Sequence, residues 1–216
     1  MYIVTGASDG LGLALAKLLV AKGERVISLS RSKPKAKGVG HITCDLTNEV
    51  SINQAAAELL VIDEPLTALV NCAGVFSKEP LTSLTGREIA RVFTTNIIGP
   101  MILVSRLLER IKKDEADIID VASTAGLKAN SEWSTYSTSK WAMRGFTQNL
   151  QEALKNSPSR VISLCPGGMQ TELFEKSDVT MPIKEYMDPA AIAEFIMQML
   201  ALPKNVQVTE AIINRK

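Results

Sequence analysis

Apolar positions along the chain gather in short runs that alternate with stretches of helical spacing. Residues 2–4 form a buried-type strand run that ends in a glycine-containing turn from Thr5 to Gly12. Over residues 11–22, Leu11, Leu15, Leu18 and Leu19 recur at helical spacing, and Gly23 stands where a helix stop is expected. Residues 25–30 are rich in β-formers, and residues 31–40 make a basic loop with Arg31, Lys33, Lys35 and Lys37 among Pro34, Gly38 and Gly40. A strand at 41–44 and a helix at about 48–60, with Thr47 as its expected cap, come next. A strand at 67–70 runs into Asn71-Cys72-Ala73-Gly74, followed by a long helix over 85–112 that Pro100 should bend. The second half predicts a strand at 117–122, a helix at 133–155, a turn at Pro158, and a strand at 161–165 ended by Pro166-Gly167-Gly168. Asp188 should cap a helix with Pro189 as its first residue, running to about 200, before a closing strand at 206–214.

Seven strands alternating with helices predict an α/β fold with one parallel sheet covered on both faces. A length of 216 residues admits one domain or two, and the absence of a linker, repeat or low-complexity tract favours a single domain over 1–216. The 46% hydrophobic and 22% charged content excludes wholesale disorder. With 24 basic against 23 acidic residues, net charge gives no pull toward nucleic acid or an acidic membrane, and neither is expected as a partner. The chain has no apolar run of membrane-spanning length and no basic-then-apolar leader pattern. Cys44, Cys72 and Cys165 are widely spaced and odd in number, so a reducing, cytoplasmic setting is expected, without disulfides or a metal site. His41, the sole histidine, reads as structural beside Gly40, and the cysteines read as small apolar residues.

Candidate chemistry starts at the first turn, Thr5-Gly6-Ala7-Ser8-Asp9-Gly10-Leu11-Gly12. Glycines there let backbone approach a pyrophosphate, and the following helix offers free N–H groups. A plain tight turn would carry the same residues, but the strand-before, helix-after context is the one a dinucleotide site needs. Tyr136 and Lys140 lie four apart, so on a helix they share a face. A nearby ammonium favours the phenolate, which would make Tyr136 a proton donor and acceptor, although a surface pair has the same spacing. Ser123 ends a strand at the sheet's carboxyl edge, where its hydroxyl could polarise a carbonyl or simply make a turn.

Taken together, these motifs resemble the short-chain dehydrogenase/reductase family in its compact single-domain branch, over nearly the whole chain. Gly6, Gly10 and Gly12 match its cofactor turn, Asp45 its adenine contact, and Asn71-Cys72-Ala73-Gly74 its Asn-Asn-Ala-Gly stretch with one substitution. Asn96, Ser123, Tyr136 and Lys140 fall in the order and spacing of its catalytic tetrad, and Pro166-Gly167 and Thr171 match the segment flanking the nicotinamide. The resemblance implies a doubly wound Rossmann fold and an NAD(P)-dependent oxidoreductase that interconverts a secondary alcohol and a carbonyl. It implies Tyr136 as general acid and base, Ser123 orienting the substrate oxygen, Lys140 holding the nicotinamide ribose, and Asn96 supporting a proton relay. It also sets Ser8, Asp9, Leu11, Leu46 and Met169 along the cofactor, and implies a homodimer or tetramer through the helices at 85–112 and 133–155. The segment at about 171–187, with Leu173, Phe174, Val179, Met181 and Tyr186, is expected to cover a small-molecule substrate.

Cofactor choice turns on the second strand's end. An acid there bonds the ribose of NAD, whereas this chain has Ser30 followed by Arg31, which points to NADP(H), with NAD(H) the alternative. Asp9 is a counter-signal, because some NADP enzymes of the family carry a basic residue there. A non-catalytic dinucleotide-binding redox sensor is the rival function; such a sensor would have no need of Ser123 or Tyr136.

Overall fold

The computed structural model describes residues 1–177 and 179–216. Its strands are β1 (Tyr2–Thr5), β2 (Val26–Ser30), β3 (Gly40–Thr43), β4 (Ala68–Asn71), β5 (Asp117–Val121), β6 (Val161–Pro166) and β7 (Glu210–Ile213). The main helices are α1 (Gly10–Ala21), α2 (Glu49–Leu60), α3 (Gly86–Phe93), α4 (Gly99–Lys113), α5 (Ser134–Leu154) and α6 (Pro189–Leu200). All seven strands run parallel in the order β3-β2-β1-β4-β5-β6-β7, the doubly wound α/β fold expected from the alternation. The order reverses between β1 and β4, and the crevice outside the carboxyl ends of these strands is where such sheets bind ligands.

Both sheet faces are buried, which explains why the strands read as continuous apolar runs. Ile3, Leu69, Ile118 and Val161 pack with α2, α4 and α5 on one face, and Val4, Val70, Ile119 and Leu164 pack with α1 and α6 on the other. The stretch Gly86–Lys113 passes as a membrane span by length and composition, but Leu103, Leu107 and Ile111 on it are wholly buried in the core.

Four local expectations need correction. Asn48, not Thr47, caps α2 by accepting from Ser51 N at 3.1 Å; Thr47 is drawn back to Asp45. The long helix is interrupted ahead of Pro100 by a π turn, Thr94–Ile98, in which Gly99 N reaches back to Thr94 O. That widened turn accommodates a proline that has no N–H to give. The α5 helix starts after a 3₁₀ turn at Ser131–Trp133. The closing strand is only Glu210–Ile213, because Val206 N turns back to Pro203 O at 2.8 Å.

Candidate active site

At the end of β1 the chain turns sharply and approaches β4. Gly6 has φ +68°, and a Cβ on it would come within 2.8 Å of Ala73 Cα. A Cβ on Gly12 would lie 2.7 Å from Gly6 O, so glycine at both positions lets the turn close on Ala73 and on its own helix. Thr5 Oγ1 accepts from Ala73 N at 3.1 Å and fastens the two strand ends together. Asp9 holds the N-cap position of α1 but makes no side-chain cap bond, which leaves the helix's first N–H groups unclaimed by its own cap. Its carboxylate instead meets Lys176 Nζ at 2.9 Å, an ion pair that sequence reading missed because the partners are 167 residues apart.

A cleft of about 920 Å³ runs from this turn across the carboxyl ends of β4, β5 and β6. Of the candidate catalytic and cofactor residues, all but Asn71 and Asn96 line it, as do Leu173, Phe174 and Tyr186 of the expected covering segment, whereas Val179 and Met181 pack against the Phe76 cluster instead. Asn71 turns into the sheet, where its Nδ2 donates to Asp120 Oδ1 at 2.8 Å. Asp120 is fully buried, and burial raises its pKa against the opposing hydrogen bonds from Asn71 and Thr147. Asn96 sits on the π turn, wholly buried, and works as a brace: Oδ1 accepts from Val75 N at 2.8 Å, and Nδ2 donates to Val75 O and Ser139 Oγ, both at 3.0 Å. It thereby fixes the segment after Gly74 against the helix that carries Tyr136 and Lys140.

At one end of the cleft, Arg31 and Asp45 face each other beyond Ser30. Burial raises the Asp45 pKa, but two hydrogen bonds from Thr47 and the Arg31 charge outweigh this and hold it below the usual carboxylate range. At the other end stand Ser123, Tyr136 and Lys140. Lys140 Nζ lies 5.7 Å from the Tyr136 ring centroid and donates to Val121 O at 2.8 Å. Burial pushes the Tyr136 phenol up to about 12, offset in part by the Ser123 hydroxyl. Burial also pulls the Lys140 ammonium down to about 8, against the neighbouring Cys72, Cys165 and Asp120. The expected lowering of the tyrosine by its lysine is therefore not what this geometry gives, because desolvation dominates both groups. Burial holds Cys72 at about 12 and Cys44 at about 11, so neither is a thiolate nucleophile.

An aromatic wall flanks Tyr136 that the sequence pattern gave little sign of. The Phe76 ring has Trp133 at 5.3 Å, Tyr136 at 4.9 Å and Phe174 at 4.8 Å, all edge-on. The stretch carrying Phe174 leaves and rejoins the fold at a bridge between Met169 and Met187.

The comparisons agree with this geometry. The chain is 28% identical over 217 residues to carbonyl reductase family member 4 of Danio rerio, covering 94% of this chain and 92% of that one. It is 33% identical over 184 residues to a 3-amino-tetrahydro-pyrrolizinone reductase of Xenorhabdus hominickii, covering 82% of this chain and 64% of that one. A short-chain dehydrogenase/reductase of Vibrio parahaemolyticus superposes with a TM-score of 0.85 at 26% identity, with all of both chains covered. The sequence model of the short chain dehydrogenases matches residues 1–181, from the glycine turn through the Tyr136–Lys140 helix and into the segment after β6, and the protein belongs to that family of oxidoreductases.

Proposed function

We propose that the protein is an NAD(P)-dependent oxidoreductase that interconverts a carbonyl compound and a secondary alcohol, with Tyr136 as general acid and base. The observation that carries this reading is one cleft with Ser123, Tyr136 and Lys140 at one end and the glycine turn before α1 at the other. The turn fits a dinucleotide: Gly6 and Gly12 let it close tightly at the edge of the cleft, and the α1 N-terminus suits a diphosphate. Ser8, Asp9 and Leu11 would border that diphosphate, Asp45 and Leu46 the adenine, and Ala73, Gly74 and Lys140 the nicotinamide ribose. Pro166, Gly167, Met169 and Thr171 would border the nicotinamide ring, which supplies or accepts the hydride when bound.

In the reductive direction Tyr136 donates its proton to the substrate oxygen, and Ser123 orients that oxygen. Burial keeps the phenol protonated at neutral pH, so the proton to be transferred is in place. The described residues of segment 171–187, residue 178 lying outside them, cover the substrate in this reading, and Asn71 and Asn96 act from behind the cleft by fixing its walls. The name of the Danio rerio relative, a carbonyl reductase, supports the same chemistry.

For the cofactor, NADP(H) is favoured over NAD(H). The Ser30 hydroxyl bonds Ser28 Oγ and Ser32 O, both at 2.8 Å, and presents no negative charge to a 2′-phosphate. Arg31 lines the cleft beside it, and Lys176 neutralises the counter-signal from Asp9. Isothermal titration tests this: NADPH should bind more tightly than NADH, with Arg31→Ala removing most of the difference, and equal affinities would overturn the preference. Reduced-cofactor loss with a ketone panel separates the enzyme from a redox sensor, which would bind and not turn over. Half-exposed Ile98, Met101 and Trp141 on the helical face support a homodimer or tetramer, and sedimentation of a one-chain species at micromolar concentration would refute it.

A further inference from the structure

We propose that the chamber beyond Tyr136 takes flat, uncharged aromatic ketones and discriminates against carboxylate- or phosphate-bearing ones. The proposal rests on the oxidoreductase reading and adds its substrate class. Phe76 is fully buried at the centre of the chamber wall. Arg91 Nη2 and Ser177 Oγ both donate to its carbonyl, at 2.8 and 3.0 Å, so the residue is gripped from α3 and from segment 171–187 at once. Trp133, Phe174 and Tyr186 complete a cleft wall of ring faces and edges, with Phe174 and Tyr186 5.9 Å apart. Such a wall gains most from a rigid ring that can meet it edge-to-face or offset.

Charge points the same way. Among the described residues, four cations border this half of the cleft, and three of them already have a carboxylate. Arg91 bonds Glu88 through Nε at 2.7 Å, Lys176 pairs with both Asp9 and Glu172 at 2.9 Å, and Arg215 pairs with Glu185 at 3.4 Å while lying over the Tyr186 ring at 5.4 Å. A substrate carboxylate would have to compete with these partners for a cation that is already paired, gaining little, or enter an apolar chamber unpaired, which is unfavourable. Lys140, the fourth, donates to Val121 O at the floor of the cleft and in the proposed reading faces the cofactor ribose rather than the substrate's far end.

Two near-isosteric ketones isolate the charge: 4-isopropylacetophenone and 4-acetylbenzoate. Each is titrated calorimetrically into enzyme saturated with NADP⁺, where no reduction can occur, and each is then assayed with NADPH. Cyclohexyl methyl ketone against acetophenone isolates ring flatness. We expect the uncharged aryl ketone to bind at least tenfold more tightly than the carboxylate, and acetophenone to bind several-fold more tightly than its saturated counterpart. Trp133→Leu, and separately Phe174→Leu as a second variant in case one misfolds, should shrink the flatness ratio and leave NADPH affinity unchanged. Carboxylate binding that equals or exceeds that of the isopropyl compound would overturn the proposal, as would a saturated ketone binding as well as the aromatic one. Selective binding of the uncharged aryl ketone without turnover would uphold the substrate class and refute the oxidoreductase reading instead.

Discussion

Replacing Arg160 by methionine should cost the protein a large part of its stability and leave its chemistry intact. Arg160 and Asp117 have side chains 3% and 4% exposed, at the amino-terminal ends of β6 and β5, opposite the cleft. Arg160 Nη2 meets Asp117 Oδ2 at 2.6 Å and donates to Leu200 O at 2.9 Å, while Nη1 donates to Leu202 O at 2.9 Å. The guanidinium thus ties the end of α6 and the chain after it to the sheet. Methionine keeps the apolar stem and removes every one of these bonds, leaving a buried carboxylate. Removing one partner of a buried pair costs about 3–5 kcal/mol. Lys204 Nζ at 2.7 Å and Arg160 N at 3.0 Å still hold Asp117 Oδ1, so the low end applies. A loss of about 3 kcal/mol lowers Tm by roughly 6–12 °C in a chain of this size. Urea titration at neutral pH measures the loss, and the activity of the remaining folded fraction should match wild type. A loss below about 1 kcal/mol would refute the reasoning, since a surface pair contributes no more than that.

Lys140 gives a pH dependence whose sign follows from burial. Its ordinary value of 10.5 falls to about 8 on folding, so from about pH 8 to 10.5 the unfolded chain holds the extra proton and stability from this group rises with pH. Between pH 7 and 9 the stability of wild type relative to Lys140→Met should therefore rise by roughly 1 kcal/mol, and a constant difference in paired urea titrations would contradict it. Ionisation of Cys44 and Cys72 in the unfolded chain lowers stability as pH rises, but both proteins carry these thiols, so that contribution largely cancels in the difference. Gly6→Ala forces a Cβ to within 2.8 Å of Ala73 Cα at a positive φ, so it should cost about 1–3 kcal/mol and weaken dinucleotide binding. Unchanged Tm and cofactor affinity in that variant would show that the turn relaxes freely.

Much of the fold was legible because both sheet faces are buried and the strands announce themselves as apolar runs, from Tyr2-Ile3-Val4 to Val161-Ile162. The glycine turn and the Tyr136–Lys140 spacing were legible because local backbone geometry dictates them. What escaped was set by partners distant in sequence. Asp9 reads as a bare acid until Lys176 is folded beside it, and Asn71 looks like a cleft residue until Asp120 claims its amide. The Phe76 cluster joins residues from three segments, and no periodicity connects them. The spacing put Tyr136 and Lys140 on one helix face, but burial, which spacing does not report, dominates the pKa of each.

The central claim is that Tyr136 moves the proton, and Tyr136→Phe tests it most directly. Phenylalanine keeps the ring against Phe76 and removes only the hydroxyl. With a ketone that the wild type reduces, kcat should fall by roughly 100- to 10,000-fold while calorimetric NADPH affinity stays close to wild type. A variant that binds NADPH normally and keeps most of its kcat would contradict the account.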